Sequence, residues 1–319
     1  MTSLKTSVSF LLLSITVCKK SNFFFCSLYF EVPLLNRENM FILSPLCLFS
    51  KVFFILTLYP NLLKAQFGTT PNIKHIVVGR CYSYITLVQP NLRYDCEEIW
   101  QQFEEAVVRQ SSCNVMVDYH HQMFDAVPQS CPCDRFLFWS KTRKLMHSYA
   151  AVSHQFWTLE DTLVGYMFND LIWCGQDEES GFDFGSCPQW SACNNNPVYS
   201  LWRQASQNFA EMACGNITVL LNGSIESAFN KKSMFGSVEL DSLNPHIVDY
   251  VNIKVVFNLD GPFLESCHQG SIVDLIQILQ LRGFRWTCTD SDQTLMILQC
   301  IQNPQRCSCQ TCANHQIHT

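Results

Sequence analysis

The chain has 319 residues, of which 48% are hydrophobic and only 15% charged, a composition that excludes a disordered protein. Setting aside an apolar leader at residues 1–65 leaves enough polypeptide for one large domain or two small ones with a real core. The leader holds six of the 21 Lys/Arg and two of the 27 Asp/Glu, so the remainder carries 15 against 25, a net charge of −10 that argues against nucleic acid as a partner and obliges any anionic substrate to find a local basic patch.

In chain order, the leader comes first. Residues 7–17, 23–35 and 41–59 are apolar runs, the last interrupted by Pro45 and Lys51, and none reaches the roughly 18–20 unbroken apolar residues that span a bilayer. The segment therefore reads as a secretory signal, with translation from Met40 giving an apolar core over 52–59 and Ala65 near the cleavage point; a signal anchor on the third run is the alternative. Residues 95–109 place Ile99, Phe103 and Val107 on one face of an amphipathic helix. The aromatic run FLFWS opens 135–149, which turns helical through Leu145. Thr158 heads a helical repeat through Leu159, Leu163, Tyr166 or Met167, and Asp170, with Asp161 in capping-box position. Pro197 suits a first helical turn, and Trp202, Phe209 and Met212 follow at helical spacing. Residues 217–221 read as a buried strand leaving through Asn222-Gly223, and a tight turn at Gly236 delivers Glu239 three residues later. Residues 253–259 predict a strand, 271–280 a helix, and 284–288 and 295–298 short strands. A mainly helical front and an alternating back suggest a helical domain beside a small parallel-sheet domain.

Fifteen of the 18 cysteines follow Ala65, as expected of crosslinks made in an oxidising compartment. An odd number leaves at least one thiol free or paired with another chain. Asn216-Ile217-Thr218 and Asn222-Gly223-Ser224 are glycan acceptors, expected near the surface of a secreted chain. Near the end, Cys307, Cys309 and Cys312 with His315 and His318 lack the paired knuckles of structural zinc sites, and no metal is expected there. The polar end NPQRCSCQTCANHQIHT does not read as a lipid-anchor signal.

The stretch 197–239 concentrates the chemistry: Trp202 on its helix and Glu239 after its turn are expected to face one pocket. Alone, a Trp among apolar neighbours reads as core packing and a Glu after a glycine turn as a solvated loop residue. What reverses those readings is a set of separated motifs with kept spacing: FLFWS with Trp139, TLEDTL with Glu160 and Asp161, NNPVYSLW with Trp202, then FAEMAC, VLLNGS, and FGSVE with Glu239. From Arg80 to Cys309 the chain resembles the ADP-ribosyl cyclase / cyclic ADP-ribose hydrolase family, ectoenzymes that cleave NAD at the nicotinamide–ribose bond.

The resemblance implies a mixed α+β, α/β fold, disulfide-rich, in which a mainly helical lobe (66–132 with 158–213) is interleaved with a small parallel-sheet, Rossmann-like lobe (133–157 with 214–309) around a cleft, followed by a polar tail at 310–319. It implies the bridges Cys81–Cys96, Cys113–Cys193, Cys133–Cys214, Cys174–Cys187, Cys267–Cys288 and Cys300–Cys309, with Cys131, Cys307 and Cys312 as extras. It also puts Trp202 and Glu160 opposite Trp139 and Glu239 across the cleft. Cleavage releases a neutral base and leaves an oxocarbenium-like ribosyl cation, so the main demand is a carboxylate beneath the ring, the role implied for Glu239. Trp202 and Trp139 would offer indole faces to the cationic nicotinamide. Glu160 and Asp161 would accept hydrogen bonds from carboxamide and ribose hydroxyls, although a helix-start carboxylate such as Asp161 also serves the dipole alone. Ser140, Lys141, Ser206 and Phe235 stand where the family binds phosphates and ribose.

Three positions depart from the vertebrate hydrolytic members. Met234 replaces a small polar residue, Lys141 an arginine that would clamp phosphate bidentately, and Asn169, beside Asp170, an acidic residue. Met234 resembles the invertebrate cyclases in bulk, which implies a larger share of cyclic product. The expected activity is NAD glycohydrolysis and ADP-ribosyl cyclisation, with base exchange on NADP; the competing class is a catalytically weak receptor or adhesion module of the same fold. NAD is substrate and no cofactor or metal is required. NAD or NADP are the expected partners together with a homodimer, and a membrane enters only if the leader is kept as an anchor.

Overall fold

The structure is a computed structural model that describes residues 68–177, 180–306 and 309. The readings for the leader, for Cys307, Cys312, His315 and His318, and for the tail lie outside the described residues. Residues 65–319 form one compact unit. Among the described residues no helix is long and apolar enough to cross a membrane.

The first third is helical. Helix α1 (Ile73–Ser83) packs beside α2 (Cys96–Val108), whose N-cap Asp95 accepts hydrogen bonds from the amides of Glu97 and Glu98. The predicted stripe of Ile99, Phe103 and Val107 is the buried face of α2. After the short α3 (His121–Asp125) the chain enters β1 (Leu137–Ser140), the FLFWS run, and turns into α4 (Arg143–Ser153). The capping box at Thr158 and Asp161 forms, but the single helix predicted behind it does not. A 3-10 turn (Leu159–Asp161) stops at Thr162, whose extended backbone and hydroxyl cap a second start, α5 (Leu163–Phe168). Gly165 explains the break: a Cβ there would lie 1.9 Å from the Leu159 carbonyl oxygen, so the turn carrying Glu160 sits directly on α5.

Helix α6 (Pro197–Glu211) starts at N-cap Asn196, whose side chain accepts from Val198 and Tyr199, with Pro197 at its first position. Strand β2 (Gly215–Asn222) follows. The glycine turn predicted before Glu239 is instead a single π-helical turn, Phe235–Glu239, running into α7 (Leu240–Ser242). Gly236 is needed there for closeness, because a Cβ would stand 2.3 Å from the Asn230 carbonyl oxygen. Strand β3 (Val248–Val256) begins five residues before the predicted one, since its first half carries Asp249, Tyr250 and Asn252 and hides its apolar alternation. After α8 (Ser271–Leu281) and β4 (Trp286–Asp290), residues 295–298 belong to α9 (Gln293–Gln302), not to a strand. Asp292 caps that helix through the Leu295 amide, and Leu295 and Leu298, three apart, are its buried face.

The four strands are parallel in the order β1-β2-β3-β4, with Trp139 beside Leu220 and Leu220 beside Lys254. The link from β1 to β2 passes through α4, α5 and α6, so the helical part is threaded into the sheet part. Two cores result. Trp100, Phe103, Phe168 and Trp173 centre the helical one; Phe136, Phe138, Val219, Ile253 and Leu275 centre the sheet one. Leu137, Leu145, Met146 and Leu298 cover the opposite sheet face beneath α4 and α9, as a parallel sheet requires. Helix α6 belongs to both main cores, giving Leu201 and Ala205 to the first and Phe209 and Ala210 to the second.

Six disulfides join Cys81–Cys96, Cys113–Cys193, Cys133–Cys214, Cys174–Cys187, Cys267–Cys288 and Cys300–Cys309. Cys133–Cys214 spans 81 residues and ties the approach to β1 to the start of β2; closing loops of that length restricts the unfolded chain by roughly 4–5 kcal/mol. Cys131 is free and buried, and burial first, then the charge of Asp161, pushes its thiol up to about 11, far from a reactive thiolate.

Candidate active site

The seam between the two cores opens into a cleft of about 530 Å³. It lies at the carboxyl end of β1, where parallel sheets take their ligands. From β1 come Trp139 and Ser140, and Lys141 follows with φ of 57°, a left-handed turn that carries the chain out of the strand. From the 3-10 turn comes Glu160, from α6 Trp202 and Ser206, and from the π turn Met234, Phe235 and Glu239. Trp202 and Ser206 are one helical turn apart on the α6 face that looks along the seam. Of the residues singled out in the sequence, only Asp161 is not on this wall: it is exposed, and its Oδ2 accepts hydrogen bonds from the Thr158 amide and hydroxyl, both at 2.8 Å. It is a cap, and its carboxylate is committed to the turn that presents Glu160.

Glu239 is only 8% exposed and has one hydrogen bond, donated by the buried Ser206 hydroxyl to Oε1 at 2.8 Å. Burial pushes its carboxyl up to about 8; the Ser206 hydrogen bond opposes that rise and the charge of Glu160 adds to it. Glu160 contributes a buried Oε2 that has no hydrogen-bond partner among the described residues. Two carboxyl groups thus line one cleft with hydrogen-bonding capacity to spare, a feature that marks a candidate ligand site. Glu239 is fixed from behind as well. Arg282 donates to the carbonyls of Leu240, Asp241 and Leu243, pinning the segment that follows it.

Several wall residues carry no sequence signal. Arg143 donates from Nη2 to Asn169 Oδ1 and Asp170 Oδ1, each at 2.8 Å, joining the start of α4 to the segment after α5. Arg80 holds that segment from the other side through the carbonyls of Met167 and Asn169, at 3.0 and 2.8 Å. Trp190, half exposed, lines the cleft with its ring edge-on to Tyr199 at 5.2 Å between centroids. The Arg143 and Arg80 contacts join residues far apart in sequence, and only the fold brings them together.

A family model described as ADP-ribosyl cyclase matches residues 70–309. The chain belongs to the ADP-ribosyl cyclase family. Among its relatives in that family, ADP-ribosyl cyclase/cyclic ADP-ribose hydrolase 1 of Mus musculus is 39% identical over 243 residues, which cover 76% of this chain and 80% of the relative. ADP-ribosyl cyclase/cyclic ADP-ribose hydrolase of Aplysia kurodai is 32% identical over 247 residues, 76% of this chain and 87% of the relative. Solved structures agree. Porcine CD38 complexed with a covalent intermediate, ribo-F-ribose-5'-phosphate, superposes with a TM-score of 0.68 at 37% identity, covering 71% of this chain and 99% of that one. Aplysia cyclase complexed with substrate NGD and product cGDPR gives a TM-score of 0.72 at 31% identity, covering 77% and 99%. The mixed fold with a small parallel sheet expected from the resemblance to the ADP-ribosyl cyclases is the fold observed, and the sheet has four strands.

Proposed function

We propose that this cleft cleaves the nicotinamide–ribose bond of NAD, acting as an NAD glycohydrolase and ADP-ribosyl cyclase that yields ADP-ribose and cyclic ADP-ribose. The observation that carries the reading is Glu239, a buried carboxyl bound only by Ser206 in a cleft lined by tryptophans. The C–N bond breaks with its electron pair going to the pyridinium nitrogen, so nicotinamide leaves neutral and no general acid is needed. The anomeric carbon is left cationic, and the Glu239 carboxylate stabilises or attacks it. Water then adds and loses a proton to give ADP-ribose, or an adenine nitrogen adds to close the ring. Base exchange on NADP with nicotinic acid draws on the same intermediate. Trp202 and Trp139 offer indole faces worth roughly 0.5–2 kcal/mol each to the cationic base. Glu160 has the free buried oxygen to accept from the carboxamide or a ribose hydroxyl. This chemistry calls for neither metal nor bound cofactor. A covalent intermediate in the porcine relative and a cyclic product in the Aplysia relative support both halves of the scheme.

Burial favours the protonated form of Glu239 at neutral pH, and the positive charge of the substrate favours its ionised form. Accordingly kcat/KM for NAD is expected to rise about tenfold per pH unit below about 8 and to level off above it. Ser206→Ala removes the hydrogen bond that lowers the Glu239 pKa and moves the inflection up; Glu160→Gln removes the charge that raises it and moves the inflection down. Profiles of nicotinamide release against pH for the three proteins check both signs.

Met234, half-buried at the start of the π turn, lines the cleft beside Phe235. A bulky residue there crowds the space in which water approaches the intermediate. Met234→Thr is expected to lower the cyclic share of the product several-fold with little change in total nicotinamide release, as read by chromatography of ADP-ribose and cyclic ADP-ribose; an unchanged ratio removes Met234 from the partition.

The disulfides place the chain in an oxidising compartment, and we read it as secreted or on the extracellular face. Of the two glycan acceptors, Asn216 is exposed, whereas Asn222 is half-buried with its Ser224 buried. Asn216 is therefore the better acceptor.

A further inference from the structure

A chain whose folded part carries a net charge of −10 has to gather positive charge wherever an anion docks. It does so at the carboxyl end of β1, where Lys141, Arg143 and Lys144 stand within four residues. Arg143 is already partly neutralised by Asp170 at 2.8 Å. Lys141 and Lys144 are exposed and have no ion pair among the described residues.

The cleft does not end at these cations. A second cavity of about 180 Å³ shares Lys141 and Arg143 with it and continues past Lys144 to Asn222, Asn258 and Gln299, at the carboxyl ends of β2 and β3. No acidic side chain lines this annex. Lys144 does not line the cleft itself. On its other side it borders a cavity where Asp260 is paired with Arg306 at 2.7 Å. The annex is thus a polar space with a cationic rim.

A dinucleotide in the cleft brings a diphosphate, for which Lys141 and Arg143 are placed; Lys144 is in excess of that need. We propose that the annex takes the 2′-phosphate of an NADP-type dinucleotide, and that Lys144 is the residue that favours NADP over NAD. This rests on the NAD-cleaving reading for which molecule lies in the cleft. A phosphate monoester carries about −1.5 to −2 charges at neutral pH, and a lysine ammonium meets it as a compact charge with three rotatable donors. NAD offers only a hydroxyl at that point, and Lys144 gains little from it.

The test uses the full chain and two ligands, ADP-ribose and ADP-ribose 2′-phosphate, whose binding is read from quenching of the cleft tryptophans, together with kcat/KM for NAD and NADP. The phosphorylated ligand is expected to bind about three- to tenfold tighter at low salt, a preference that shrinks as ionic strength rises. Lys144→Gln is expected to remove the preference and Lys144→Glu to invert it, with ADP-ribose and NAD changing by less than about twofold. Equal affinity of the two ligands for the unaltered protein, no binding of either, or equal losses for both in the variants would overturn the proposal. A protein that binds with this preference yet releases no nicotinamide would leave the Lys144 site standing and remove the catalytic reading.

Discussion

Replacing Glu239 with Gln is expected to cut nicotinamide release from NAD by about 10³-fold or more, with the substrate still bound. Glutamine keeps the shape and can still accept from Ser206, so what is lost is the charge that meets the ribosyl cation. The same variant carries a second, opposite signature. A carboxyl group raised from 4.5 to about 8 by folding holds more protons in the native state than in the unfolded chain between those values, so its contribution to stability falls as pH rises through that window. Above pH 8 the native protein bears the full penalty of a buried carboxylate. Glu239→Gln removes it, and Tm is expected to rise by several degrees at pH 8 and to be unchanged at pH 4, since each kcal/mol is worth about 2–4 °C in a domain of this size. A variant that is inactive and also less stable at pH 8 would show that the loss reflects damage to the cleft, not loss of the charge.

Gly236→Ala is expected to be severely damaging for a single-methyl change. The added Cβ would stand 2.3 Å from the Asn230 carbonyl oxygen and 2.8 Å from the Lys231 Cα, both backbone atoms that cannot rotate away. The π turn must shift, at about 1–3 kcal/mol of stability. Glu239 lies three residues on, and a displacement of about 1 Å at a catalytic group costs on the order of 10²-fold in kcat. Gly79→Ala is the matched control: at this exposed position of α1 nothing lies within 4 Å of the new methyl, and it is expected to stabilise by about 0.5–1 kcal/mol. Thermal unfolding and nicotinamide release on the two variants separate a general glycine effect from this particular contact.

Much of the fold is legible in the sequence where periodicity and caps coincide. The stripe of α2, the Pro197 start of α6 and the apolar run of β2 each satisfy a local rule that the tertiary structure also needs. Where local and global demands part, the sequence misleads. The capping box at Thr158 promises a helix, but Gly165 lets the turn settle onto the next helix and ends it after three residues. Residues 295–298 are too few to tell a strand from one turn of a helix until Asp292 is seen capping them. At the site, Trp139, Trp202 and Glu239 stand out because the resemblance names them, whereas periodicity alone assigns Trp202 to a core. Arg143 and Arg282 act through partners 26 or more residues away or through bare backbone carbonyls, and no local pattern records such contacts. Cys131 is a similar case: counting tells that at least one thiol is left over, and the structure shows that Cys131 is unpaired among the described residues and buried.

Helix α6 contributes side chains to both main cores. Its backbone amides cannot be released by swinging one half of the molecule from the other, because either motion would strip apolar contacts from the same helix. Amide exchange along α6 should therefore track global unfolding, while the segments flanking Lys141 and Asp170 exchange through local fluctuations. Release of nicotinamide and the remaining product is therefore expected to proceed without separation of the two cores that α6 joins.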